Sequence, residues 1–136
     1  MLKSLLKYFR HRWLDWRFTS SRRQLEAAWF EQAAASGRPR GLRWSQCRWL
    51  SVRLLLRERQ TGEWWMLSSV NLSFEAIEGG GMEDVAAVSS IRDACAVFVW
   101  RGRSWVSGGR ALFNMDPEIA AKHLEESHEV CLLVRE

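Results

Sequence analysis

Between Leu42 and Arg57 the apolar residues recur at every second position. Trp44, Leu50, Val52, Leu54 and Leu56 hold even numbers, while Arg43, Ser45, Ser51, Arg53 and Arg57 hold odd ones. That period belongs to a strand with one buried face. A second such run spans 63–78, with Trp64, Met66, Val70, Leu72 and Phe74 on even positions and Ser69, Asn71, Ser73 and Glu75 on odd ones. A two-residue turn at Thr61-Gly62 sets even opposite odd and turns one apolar set outward, so it is disfavoured. The three-residue loop Gln60-Thr61-Gly62 keeps both sets on one face and leaves Gly62 free for a left-handed conformation. It pairs Arg59 with Glu63, Leu56 with Met66, Val52 with Val70 and Leu50 with Leu72. The same register puts Arg57 opposite Trp65 and turns Arg48 inward, where it needs an acidic partner unless the strand bulges there.

Upstream, the period is helical. Leu2, Phe9 and Trp16 stand seven apart with Leu6 and Trp13 between them, so residues 2–18 form a helix with one apolar stripe. Lys3, Lys7, Arg10 and Arg17 surround that stripe. Tyr8, Leu14 and Phe18 lie off it and widen the apolar face, which favours packing on the domain's own sheet. A helix presented to an anionic membrane or an acidic groove is the functional alternative. Ser21 with Gln24 matches a capping box, and Gly37 suits a C-terminal cap, predicting a second helix over 22–35. Arg38-Pro39-Arg40-Gly41 reads as a linker from this helical front (1–36) to a strand-rich remainder (42–136).

Downstream of Glu78, the segment 79–93 has no predicted structure. Residues 94–100 form an apolar strand, Arg101-Gly102-Arg103 turns it, and 104–113 returns with a bulge at Gly108-Gly109. Trp100 and Trp105 pack across the turn. Asp116-Pro117 starts a helix over 117–127, and the all-apolar 130–134 is a last strand, buried on both faces or paired in the sheet's interior. The chain is expected to be one α+β domain over 1–136. Its order is α-α-β-β-β-β-α-β, with an antiparallel sheet of about five strands and the N-terminal helices on one face.

Composition leaves this picture standing. A chain of 136 residues with 47% hydrophobic and 26% charged residues can enclose a core without disulfides. Cys47, Cys95 and Cys131 sit in apolar stretches and form no CxxC pair, as expected of core thiols in a reducing, cytoplasmic setting. His123 and His128 are five apart and miss the spacing that joins two imidazoles on one helical face, so no metal site is expected. Residues 1–23, with Asp15 as their single acid, also resemble an organelle presequence, a reading ranked below that of a helix of the mature fold.

Charge adds an asymmetry. Residues 1–60 carry 14 Lys and Arg against 4 acids and residues 61–136 carry 6 against 12, so a half of +10 precedes a half of −6. No phosphate loop, nucleophile elbow or catalytic triad spacing is present, and no cofactor is implied. A non-catalytic binding module is therefore the leading reading, its basic half meeting an acidic protein partner. Arg43, Arg48, Trp49, Arg53, Arg57 and Trp65 are the candidate binding residues, because arginines interleaved with tryptophan hold phosphates and stack on rings. Two alternatives follow from the same residues. One is a polyanion, RNA or an anionic membrane surface. The other is a small ligand or substrate in a cavity lined by some of the nine tryptophans.

Overall fold

The computed structural model describes residues 1–36, 41–77, 79 and 92–136. Gly37 and most of the two segments read as a linker and an open loop lie outside the described residues. Helices α1 (Leu2–Ser20) and α2 (Arg22–Ala35) precede strands β1 (Leu42–Glu58), β2 (Trp64–Ala76), β3 (Arg92–Arg101) and β4 (Ser104–Phe113). Helix α3 (Pro117–His123) and strand β5 (His128–Arg135) complete the chain. The five strands form one antiparallel sheet in the order β4-β3-β2-β1-β5. Strand β5 is an edge strand, not an interior one, and its Val130 and Leu133 are exposed.

Both faces of the sheet are covered, and this overturns the predicted hairpin register. Leu56 pairs with Trp65, Leu55 with Met66, Leu54 with Leu67 and Arg57 with Trp64. The connecting loop holds one residue more than predicted: the Glu58 N–H donates to the Glu63 carbonyl at 2.8 Å, and the Gly62 N–H to the Glu58 carbonyl at 2.9 Å. Gly62 is left-handed, at φ 72°, as the sequence led one to expect. Leu55 and Met66 face α1 and α2, whereas Leu54, Leu56, Trp65 and Leu67 face α3. Because apolar residues are wanted on both sides there, alternation could not say which side was inward.

Two irregularities then interrupt β1, and the one nearer its start turns the strand over. The register shifts between Trp49 and Arg53 and again between Trp44 and Gln46, after which Trp44 stands opposite Phe74 on the helical side. Arg48 lies between these shifts and is exposed, so the bulged strand removes any need for a buried partner.

The helical side holds the larger core. Phe18 packs edge-on against Phe98 at 5.1 Å and Trp105 at 6.0 Å, and Trp29 against Trp44 at 5.6 Å and Trp49 at 5.3 Å. Two buried indoles find backbone acceptors: Trp29 Nε1 donates to the Arg110 carbonyl at 2.7 Å, and Trp105 Nε1 to the Leu14 carbonyl at 2.9 Å. Helix α2 crosses β4 at the bulge predicted for Gly108-Gly109. Gly109 is left-handed at φ 75°, and a Cβ there would lie 2.7 Å from the Gln32 Cβ and 2.8 Å from the Ala33 nitrogen. Asp116 caps α3 as expected, accepting from the Ile119 N–H at 2.8 Å, but Ser21 makes no side-chain cap for α2.

Candidate functional site

The six residues singled out from sequence do not gather on one face. Arg43 is exposed and pairs with Glu75 at 2.8 Å across the hairpin. Trp49 turns toward Trp29 in the helical core, and Trp65 lies on the opposite side of the sheet. Arg57 lies over the Trp64 ring, 4.7 Å from its centroid, with its Nε donating to the Gly62 carbonyl at 3.3 Å. Trp64, not Trp65, therefore stands opposite Arg57, and Trp65 moves on to face Leu56.

Arg53 departs furthest from a solvated position. It is 4% exposed and its guanidinium grips Asp15 of α1 with two bonds, Nε to Oδ1 at 2.7 Å and Nη2 to Oδ2 at 3.0 Å. The remaining nitrogen, Nη1, reaches Glu136 Oε1 at 2.7 Å, and Arg22 holds the other oxygen of Glu136 at 3.1 Å. A fork of two N–H groups on one carboxylate is the strongest geometry such a pair can adopt. Bonds to Arg53 and then Arg22 hold the Glu136 carboxyl below its usual range against a smaller opposing effect of burial. The lone acid among the first 23 residues thus pins α1 to the sheet. Its isolation within a basic stretch is the signal by which sequence could have flagged it.

Pinning by Asp15, Leu14 and Phe18 fixes which side of α1 faces inward. At about 100° per residue, Leu2, Leu5, Leu6, Phe9, Trp13 and Trp16 fall within roughly 100° of arc on the side opposite Leu14 and Phe18. The stripe expected to pack on the sheet therefore faces solvent: Leu6 is 59% exposed, Phe9 58% and Trp16 60%. Residues 1–10 are exposed on every side, so the first half of the helix stands clear of the body. Contact resumes at His11, whose ring meets Trp64 at 5.5 Å, and at Trp13, whose ring meets Trp100 at 5.5 Å. Arg17 lies 5.3 Å from the centroids of both Trp13 and Trp100 and donates to the Arg103 carbonyl at 2.8 Å.

Electrostatics reinforce this surface. Residues 1–14 contain Lys3, Lys7, Arg10 and Arg12 and no acid. None of these four cations forms an ion pair among the described residues. The described helices include none long and apolar enough to cross a membrane. Nucleophilic chemistry has no support among the thiols: burial pushes Cys47 and Cys95 up to about 12, so neither is a thiolate near neutral pH. The chain matches no protein-family model, no curated protein and no solved structure.

Proposed function

We propose that the protein is a peripheral membrane-binding module that lays α1 into the interface of an anionic bilayer. The observation that carries this reading is the solvent-facing stripe of Leu2, Leu5, Leu6, Phe9, Trp13 and Trp16 on a helix whose opposite side is committed to the core. A stripe of leucine and aromatic residues bordered by lysine and arginine is the composition of helices that lie in the headgroup region. Arg10 and Arg12, which flank the stripe, would contribute about 1 kcal/mol each beside an anionic surface, roughly 2 kcal/mol together, and Lys3 and Lys7 lie farther round the helix. Burial of the stripe supplies the remainder.

The RNA alternative is weaker, since an apolar stripe offers nothing to phosphates and the arginine and tryptophan residues meant to bind it are dispersed. An acidic protein partner uses the same cations but not a stripe this apolar. The test is flotation of the full chain with vesicles of phosphatidylserine and phosphatidylcholine, beside vesicles of phosphatidylcholine alone. Flotation with the anionic vesicles, a blue shift of tryptophan emission and loss of both in a Leu5→Ser, Phe9→Ser variant are expected. A chain that stays at the bottom of the gradient at low salt overturns the reading and returns the acidic protein to first place.

A further inference from the structure

On the sheet face away from α1, β3 and β4 border an open cleft of about 430 Å³. Its apolar lining is Val97, Val99, Val106 and Trp65, and Arg101 and Arg110 stand at its border. The bulge at Gly108-Gly109 makes the cleft possible, because it sets three residues of β4 against Val97 and brings Ser107 and Gly108 to the rim. The indole of Trp65 is fixed from several directions. Arg110 stacks over it at 4.9 Å, the His128 ring lies 4.3 Å away, and its Nε1 donates to Glu63 Oε1 at 2.8 Å. His128 is held in turn by Ser127 Oγ, 2.7 Å from its Nδ1.

Charge within the cleft is unbalanced. Arg101 and Arg110 form no ion pair or side-chain hydrogen bond among the described residues, whereas Glu63 already has the Trp65 N–H on one oxygen. Two guanidinium groups against one carboxylate leave the lining one positive charge in excess. Beside them lies an apolar floor of three valines and an indole. We propose that this cleft binds a small organic monoanion with an apolar body, its carboxylate or equivalent head on Arg101 and Arg110 and its body over Val97, Val99, Val106 and Trp65. Each guanidinium offers planar, charge-assisted donors suited to such a head, and a few polar groups beside an apolar surface is the usual form of a small-ligand site. This site is independent of α1, so vesicle binding can fail without touching it.

The test is a titration of the full chain with octanoate, followed by residue-resolved NMR. Octanoate is expected to shift the methyl signals of Val97, Val99 and Val106 and the indole N–H of Trp65, and to saturate. Arg110→Gln and Arg101→Gln are each expected to weaken binding about tenfold, the loss of one charge-assisted bond. Gly108→Leu supplies a variant that keeps both charges. A Cβ at Gly108 meets no atom within 4 Å and Gly108 is not left-handed, so the added side chain enters open space at the rim, blocks octanoate and leaves the thermal midpoint in place. Neutral octanamide should leave the signals unmoved, and inorganic phosphate should move them far less than octanoate. Octanoate shifts confined to the α1 stripe would overturn the proposal, as would binding indifferent to Arg110→Gln and Gly108→Leu, or octanamide or phosphate acting as strongly as octanoate.

Discussion

The two halves of α1 have similar composition and opposite fates. From Leu14 to Ser20 the helix is anchored, with Leu14 and Phe18 in the core and Asp15 in the fork of Arg53. From Met1 to Arg10 every residue is exposed, although Leu2, Leu5, Leu6, Tyr8 and Phe9 are as apolar as anything in the second half. Amphipathicity therefore does not decide which part of a helix packs. A specific set of contacts does, and here Leu14, Phe18 and the buried pair of Asp15 with Arg53 together set the rotation of the helix. The apolar stripe that remains runs unbroken along the outer side of the helix.

The sharpest way to break this contrast is to remove the pin. Asp15→Ala leaves Arg53 buried with only Glu136 beside it and should lower the stability of unfolding by about 3 kcal/mol, read as a fall in the urea midpoint. The paired replacement Asp15→Leu with Arg53→Met, which takes away both charges, should recover most of that loss. A midpoint unchanged in Asp15→Ala would mean that the ion pair does not position α1. Leu14→Ala comes next, at about 2–3 kcal/mol for a buried leucine that leaves a cavity against the core. Its effect should add to that of Asp15→Ala less than fully, since the two residues are neighbours on one helix.

Sequence made much of this fold legible and missed the part that orients it. Element order, the Asp116 cap, the Gly62 and Gly109 positions and the bulge in β4 follow from local chemistry that each segment carries alone. The hairpin register did not, because Leu54, Leu55 and Leu56 are all buried and both faces of β1 are covered there, one by α1 and α2 and the other by α3. Arg53 looked like a surface residue for the same reason, its acidic partner lying 38 positions away on a different element. Of the candidate binding residues, Trp65 lines the far-side cleft, but Arg101 and Arg110 were unreadable as its companions until the strands were placed. The stripe on α1 was fully visible, yet periodicity cannot say whether a stripe meets a sheet or water.

On the exposed half the same kinds of substitution should leave the fold almost untouched. Phe9→Ser removes a large apolar residue that has no place in the core, so stability should change by no more than about 0.5 kcal/mol. Anionic vesicle binding should fall sharply in the same variant. A destabilisation as large as that of Leu14→Ala would mean that Phe9 packs in solution and that the two halves are not distinct. Circular dichroism at matched urea concentrations checks this directly.

The smallest effect sits at the junction, on His11. Partial burial first, and then the cations Arg10, Lys7 and Arg57, hold its imidazole below the ordinary 6.5, with Glu129 acting the other way. His128 is lowered as well, chiefly by burial. A histidine with a lowered pKa is neutral in the fold and takes up a proton more readily when unfolded. Its contribution is therefore complete above about pH 6.5 and is lost as the pH falls from there through the lower value that the imidazole has in the fold. Urea midpoints should decline modestly between about pH 7.5 and pH 5.5. Glu136, lowered from 4.5, should act only in more acidic solution. His11→Gln should remove part of the decline and His128→Gln another part. On anionic vesicles His11 should count for little, because at about 100° per residue it lies on the Leu14 and Phe18 side of α1, against Trp64 and away from the stripe. Mild acid should thus loosen the anchored half and leave the hold of the exposed half on the bilayer nearly unchanged. His11→Gln should remove its share of the loosening and leave vesicle binding as it was. Vesicle binding that strengthens between about pH 7.5 and pH 5.5 and loses that gain in His11→Gln would place His11 in the interface and move the boundary between the two halves past it.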